Sequence, residues 1–271
     1  CLVGSGDVYK RQSEGGRWVP QLGPPPSLLG AAGAVPAALA ALCDRTKVIL
    51  STVGPYALYG EDLVKACVTS GTDYCDLTGE SQWMKRMISR YSEQAKLSGA
   101  RVVHACGFDS LPSDLGVKFL QQHAQARFGE PCSIIKMRVK AMAGGASGGT
   151  IASGVNAFKE AVSDPEVRAE MQDFYSLCPA VHGNSATQRH VNMEYDEDFK
   201  SWVGPFIMAG VNTRVVLRTN ALLNEQYGRQ FYYGEGSLTG AGDAGRKAAK
   251  RITLGTKLFS SVPVSYTHLT L

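Results

Sequence analysis

The residues best suited to chemistry lie at three places where an apolar run ends in small and polar side chains. Lys47-Val48-Ile49-Leu50 runs into Ser51, Thr52, Val53, Gly54, Pro55 and Tyr56. Asp73-Tyr74-Cys75 precedes Asp76, Thr78 and Gly79, and Arg101-Val102-Val103-His104-Ala105 empties into Gly107, Phe108, Asp109 and Ser110. In an open parallel sheet, ligands bind outside the carboxyl ends of the strands, so these three loops are the candidate cofactor contacts. The first loop could meet a ligand through its main chain, with the Tyr56 ring stacking or hydrogen-bonding nearby. Asp109 is the best single candidate for a polar role, although a carboxylate at a helix start also serves structure alone.

The intervening segments must space these loops. A helix from about Gly60 to Ser70 carries Leu63, Val64, Cys67 and Val68 on one face, and Gly71 stands where a left-handed cap belongs. Trp83, Met84, Met87, Ile88, Tyr91 and Ala95 repeat at helical spacing until Gly99, and Ser113 reads as the N-cap of a helix reaching Gly129. Short strands alternating with such helices predict right-handed crossovers and a doubly wound parallel sheet.

The pattern changes after Glu130. Ile135, Met137, Val139 and Ala141 alternate with Lys136, Arg138 and Lys140, as in a strand with one wet face. A glycine-rich run follows, and a helix marked by Ile151, Val155, Phe158 and Val162 begins behind it. Glycines admit a ligand close to the backbone and a helix N-terminus favours an anion, so Gly144, Gly145, Ser147, Gly149 and Thr150 are candidate substrate contacts beside the alternative of a plain turn. Asp164-Pro165-Glu166 opens a further helix, while Cys178 to Asp198 reads as a polar surface excursion holding His182 and His190 as solvated loop histidines. Trp202 to Leu223 has Ile207, Val211 and Val215 at helical spacing; Asn212 and Arg218 on its other faces are candidate substrate residues, Arg for the planar fork that recognises carboxylate or phosphate. Gln230 to Glu235 reads as a late strand and Gly234 to Gly245 as a flexible run.

Three words, STVGPYALYG, YCDLTGE and HACGFDSLPSDLG, in that order and spacing, resemble the saccharopine dehydrogenase-like oxidoreductases, including their trans-acting enoyl reductase branch. The likeness covers roughly Ala37 to Tyr233. It implies an NAD(P)-dependent oxidoreductase, with NADP favoured over NAD, moving a hydride to or from a small or lipid-linked (acyl) substrate, and it tips the glycine run toward substrate or nicotinamide contact. The alternative is a non-catalytic Rossmann-like scaffold or lipid-associated binding protein. Such a fold should open with a strand and a Gly-rich turn that cradle the pyrophosphate, but Gly30-Ala31-Ala32-Gly33-Ala34-Val35-Pro36 follows prolines instead of an apolar strand. The expectation is therefore an N-terminally truncated, weakly binding and inactive fragment. Residues 1–36 read as non-native or linker-like, 37–130 as a partial NAD(P)-binding Rossmann-like domain, 131–263 as an α+β substrate or oligomerisation domain, and 264–271 as a non-native-looking tail. The fold class is α/β, an incomplete doubly wound sheet followed by that second domain.

Composition excludes other classes. With 44% hydrophobic and 19% charged residues the chain is ordinary for a globular enzyme, and a net charge of +4 is too small and dispersed to argue for nucleic acid. No apolar run approaches the roughly 18 residues of a membrane span. Seven cysteines form no C-x-x-C pair, which points to a reducing cytoplasm and no metal site, while a homodimer stays open. The absence of a triad or paired carboxylates favours cofactor-borne chemistry, and no catalytic acid or base is identified.

Overall fold

The structure, a computed structural model, describes residues 2–3, 34–142 and 148–261. The chain divides into two units, Cys1–Gly107 with Ser147–Ala157, and Phe108–Ala146 with Phe158–Leu271, so the boundary passes through the third of the loops singled out above.

The first unit is Rossmann-like. Its elements are β1 (Leu2–Val3), α1 (Ala34–Cys43), β2 (Val48–Ser51), α2 (Tyr56–Tyr59), α3 (Glu61–Ser70), β3 (Asp73–Asp76), α4 (Ser81–Ser98) and β4 (Val102–Val103). β2, β3 and β4 form a parallel three-stranded sheet, with the two-residue β1 paired at its edge, in the order β1-β2-β3-β4. Leu2 and Val3 stand opposite Leu50 and Ser51, a pairing made by a segment whose sequence had been set apart from the fold. Alternation sets the core: Ile49, Ser51, Tyr74 and Asp76 face inward, with Leu63, Val64, Cys67 and Val68 of α3 and Trp83, Met84 and Met87 of α4 also buried. Gly71 and Gly99 end α3 and α4 at φ of 75° and 81°, the left-handed region that glycine enters without strain.

The second unit holds α5 (Leu111–Phe128), β5 (Ile134–Val139), the end of α6 (Gly148–Ser163), α7 (Pro165–Gln172), β6 (Glu194–Asp196), β7 (Ser201–Pro205), α8 (Ala209–Leu222), β8 (Tyr232–Gly240) and α9 (Gly242–Ser261). Its mixed sheet runs β5-β8-β7-β6, with β5 parallel to β8 and the other pairs antiparallel. α8 packs on β8 and on α5, and α9 lies on β7 and β8. Val117, Ile135, Val216, Leu217, Tyr227, Phe231 and Tyr233 form the core.

Four local expectations are corrected. Trp202 to Pro205 is not the start of a helix but β7, because its residues find ladder partners in β8 that outweigh the helical spacing further on. Gly234 to Gly240 is not flexible; it continues β8 against both β5 and β7. The 178–198 segment is irregular but not merely superficial, since Ala186, Gln188, Val191 and Asp196 are buried and His182 stacks on Tyr175 at 5.3 Å. Finally, α5 starts at Leu111 with Ser110 at the N-cap, and Ser113 lies in its first turn.

Candidate functional site

In the first unit the carboxyl ends of β2, β3 and β4 are tied together by two inward-turned carboxylates. Asp76 Oδ1 accepts hydrogen bonds from the main-chain N–H of Thr78 at 3.1 Å and of Ala105 at 3.0 Å. Its Oδ2 lies 2.7 Å from His104 Nδ1, and its carbonyl accepts from Cys106 N–H at 2.7 Å. One aspartate thus fastens the ends of two strands. Ala105 sits at φ 57°, a conformation that costs a non-glycine residue about 1–2 kcal/mol and persists because Asp76 holds its N–H. The His104 side chain is 7% exposed and wedged edge-on against Trp83 at 4.9 Å and Tyr74 at 5.9 Å. This places it under α4, in the packing that supports the loops.

The second carboxylate is Glu80. Its two oxygens accept from Tyr56 N–H at 2.8 Å and Ala57 N–H at 2.9 Å, supplying acceptors for the first turn of α2, and its own N–H donates to Thr78 Oγ1 at 3.1 Å. Tyr56 is buried, its hydroxyl donating to Ser51 O at 3.1 Å and its ring 5.4 Å from Trp83. Burial, with Asp76 nearby, pushes that phenol far above the ordinary tyrosine range. A Cβ on Gly54 would lie 3.2 Å from Ser153 Oγ of α6, so the loop approaches that helix closely. Burial likewise raises the Cys106 thiol to about 11, which leaves it protonated at neutral pH.

Of the residues chosen from sequence, the structure brings Ser51, Thr52, Val53, Gly54, Pro55, Tyr56, Asp76, Thr78, Gly79 and Gly107 into this unit, with Ser51, Tyr56, Asp76 and Thr78 buried and Thr52 to Pro55 half-buried. Phe108, Asp109 and Ser110 belong to the second unit. Gly144, Gly145 and Ser147 lie outside the described residues; Gly149 and Thr150 are in the first turn of α6.

In the second unit the polar residues of the LPSD stretch turn into the interior. Ser110 Oγ donates to Asn212 Oδ1 at 2.9 Å, and Ser113 Oγ donates to Glu235 Oε1 at 2.9 Å. Asn212 Nδ2 is shared among the Asp109 carbonyl at 2.8 Å, Glu235 Oε1 at 3.1 Å and Ser113 Oγ at 3.2 Å. Asn212 is wholly buried and committed to this network. Arg218 donates to the Leu177 carbonyl. Asp109 contributes its carbonyl to the network while the residue itself is exposed. Burial raises both Glu235 and Asp114, opposed by the hydrogen bonds from Asn212 and Ser113 and from Thr219 respectively.

Sequence reasoning missed His104, Glu80, Ser113 and Glu235 as members of these constellations. Glu80 closes the YCDLTGE word and could have been found as a carboxylate beside a predicted helix start; Glu235 had no signal, because its partners are 23 and 122 positions away. A concavity of about 770 Å³, lined by Cys43, Lys47, Ser70, Asp73 and Arg101, opens at the opposite, amino end of the strands.

The sequence is similar to those of known proteins. A protein of Mycobacterium tuberculosis (strain ATCC 25618 / H37Rv), provisionally named a trans-acting enoyl reductase, is 42% identical over 215 residues, covering 77% of this chain and 51% of that protein. The chain is similar to this protein over about half of that protein's length. The trans-acting enoyl reductases named in Mycobacterium ulcerans (strain Agy99) and Mycobacterium leprae (strain TN) are 38% identical over 244 residues and 37% identical over 252, covering 84% and 87% of this chain and 58% and 60% of theirs. The chain thus spans a little over half the length of these trans-acting enoyl reductases. No family model matches it, and no solved structure matches it.

Proposed function

We propose that the full-length protein is an NAD(P)-dependent oxidoreductase of the saccharopine dehydrogenase-like type that reduces the double bond of an enoyl substrate, with NADPH the favoured donor and a lipid-linked acyl chain the favoured substrate class. The observation that carries this reading is the 37–42% identity to trans-acting enoyl reductases.

The edge of the first sheet is compatible with an anionic dinucleotide. Asp76 and Glu80, the carboxylates nearest the strand ends, are 1% and 3% exposed and spent on main-chain N–H groups, so neither presents charge to a ligand. The outward surface is left to the main chain of Thr52 to Pro55 and of Leu77 to Gly79, where Leu77 and Gly79 are exposed. These segments would hold the nicotinamide half. A bound nicotinamide dinucleotide supplies the hydride; the protein's part is to orient ring and acyl chain and to exclude water. The glycine string at 30–36 lies mostly outside the described residues, and Ala34 to Pro36 belong to α1.

The test is NADPH oxidation by the full-length protein, followed at 340 nm with an enoyl thioester and confirmed by a product two mass units heavier. Keto and imine substrates serve as the comparison panel. Micromolar cofactor binding without oxidation by any substrate would overturn the enzyme reading in favour of a scaffold.

A further inference from the structure

Two thiols that the candidate site does not use meet inside the first unit. Cys43 ends α1 and Cys67 lies on the buried face of α3; their Sγ atoms are 3.9 Å apart, and the residues are 1% and 0% exposed. The main chain holds them there. Thr72 Oγ1 donates to the Cys43 carbonyl at 3.2 Å, and Thr72 N–H donates to the Cys67 carbonyl at 3.0 Å. One buried threonine thus fixes both chain positions, with α1 packed on α3 around them. A disulfide needs an S–S distance of about 2.05 Å, so each sulfur has to move by roughly 1 Å.

We propose that Cys43 and Cys67 form a reversible disulfide that staples α1 to α3, made by exchange with a low-molecular-weight disulfide. The Cys43 thiolate attacks the small disulfide, bonds one of its sulfurs and expels the other as a thiolate. The Cys67 thiolate then attacks Cys43 Sγ, closing the Cys43–Cys67 bond and expelling the second small thiolate. Two protein thiols are oxidised, one small disulfide is reduced to two thiols, and the protein's two thiol protons pass to the leaving groups. Cys43 forms part of the wall of the concavity at the amino end of the strands, beside Lys47 and Ser70, which gives the small disulfide a way in. Burial, with the Cys43 thiol alongside, pushes the Cys67 thiol well above its ordinary range, so it stays protonated and inert while α1 is docked. Exchange therefore proceeds through local opening of α1, whose side chains from Pro36 to Leu42 are exposed or half-buried. Once closed, the bond ties together the two ends of a segment that carries β2 and the Ser51 to Tyr56 loop.

The experiment equilibrates the full-length protein in buffers of reduced and oxidised glutathione, folded and in urea, and quantifies the Cys43–Cys67 linked peptide by mass spectrometry. The effective concentration of the pair is expected to be about tenfold or more higher in the folded protein, because a cross-link that stabilises the fold is favoured by the fold to the same degree. The oxidised protein should also melt above the reduced one, a gain that dithiothreitol reverses and that Cys67→Ala lacks. An effective concentration no higher in the folded protein than in urea, a lasting glutathione adduct on Cys43 in place of the closed bond, or preferential pairing of either cysteine with a third one would each overturn the proposal. None of these readouts depends on enzymatic activity.

Discussion

Asp76 is the residue on which the candidate site turns, because its carboxylate answers three buried donors at once: Thr78 N–H, Ala105 N–H and His104 Nδ1. Each buried polar group left unsatisfied costs about 1–3 kcal/mol, so Asp76→Ala is expected to destabilise the fold by about 3 kcal/mol or more. Asp76→Asn keeps Oδ1 as an acceptor and asks only that His104 switch tautomer, so it should cost clearly less. Urea unfolding of the two variants checks this: a loss well under about 3 kcal/mol in Asp76→Ala would show that the network contributes little, and equal losses would show that the acceptor kept by Asn does not matter. Asp109 behaves differently. Its exposed side chain makes Asp109→Asn neutral for stability, within about 0.5 kcal/mol. If the carboxylate also faces cofactor or substrate, binding or turnover falls about tenfold while the melting curve stays in place; unchanged kinetics would remove Asp109 from the site.

At the scale of elements, close approach decides what sequence each contact tolerates. A Cβ on Gly236 of β8 would stand 2.6 Å from Val203 Cγ1 and 2.9 Å from Val191 Cγ1, so the strands and the segment beneath them leave no room for a methyl group. Gly236→Ala is therefore expected to lower stability by about 1–3 kcal/mol through overpacking, read as a drop in Tm, whereas Gly116→Ala on α5, with open space around it, should raise it slightly. Equal responses at the two sites would contradict the packing described. Helix ends show the same economy of contacts. Arg214 of α8 is buried and bonds the Met171 and Asp173 carbonyls at the end of α7, so its charge serves that C-terminus, with the Asp173 carboxylate attracting it as well. Burial holds it below the usual arginine range, though still cationic at neutral pH.

For the molecule as a whole, two carboxyls with raised affinity for protons, the buried Glu235 and the half-buried Asp114, set a pH dependence. Glu235 and Asp114 bind protons more tightly folded than unfolded, chiefly because burial disfavours their charge. Their contribution is thus fully present below the ordinary carboxylate range and is lost as pH rises through their elevated folded values. Glu235→Gln, which mimics the neutral acid and retains an acceptor for Ser113 and Asn212, should melt like the parent in mild acid and above it at alkaline pH. Tm measured across pH checks this, and parallel curves would refute it. Asp196 works with the opposite sign. Burial opposes its charge, but the Arg138 guanidinium at 2.7 Å holds its carboxyl below the usual range, so its contribution is present at neutral pH and fades as pH falls through that lowered value.

The sequence by itself determined the alternation of strand, loop and helix through residues 47–128, because each step is written locally: apolar runs, helical periodicity, and Gly71, Gly99 and Gly129 at the ends. It determined also that the polar loops gather at the carboxyl edge, since parallel strands leave them no other place. What the tertiary structure alone decided is which way each polar side chain turns. Asp76 reads on paper as a ligand-facing carboxylate and Glu80 is not singled out at all, but main-chain donors from elements 23 to 29 residues away claim both. Ser113 looked like a cap until Glu235, 122 residues on, took its hydroxyl. Trp202 to Pro205 became a strand for the same reason, as partners distant in sequence supplied hydrogen bonds that no local pattern records.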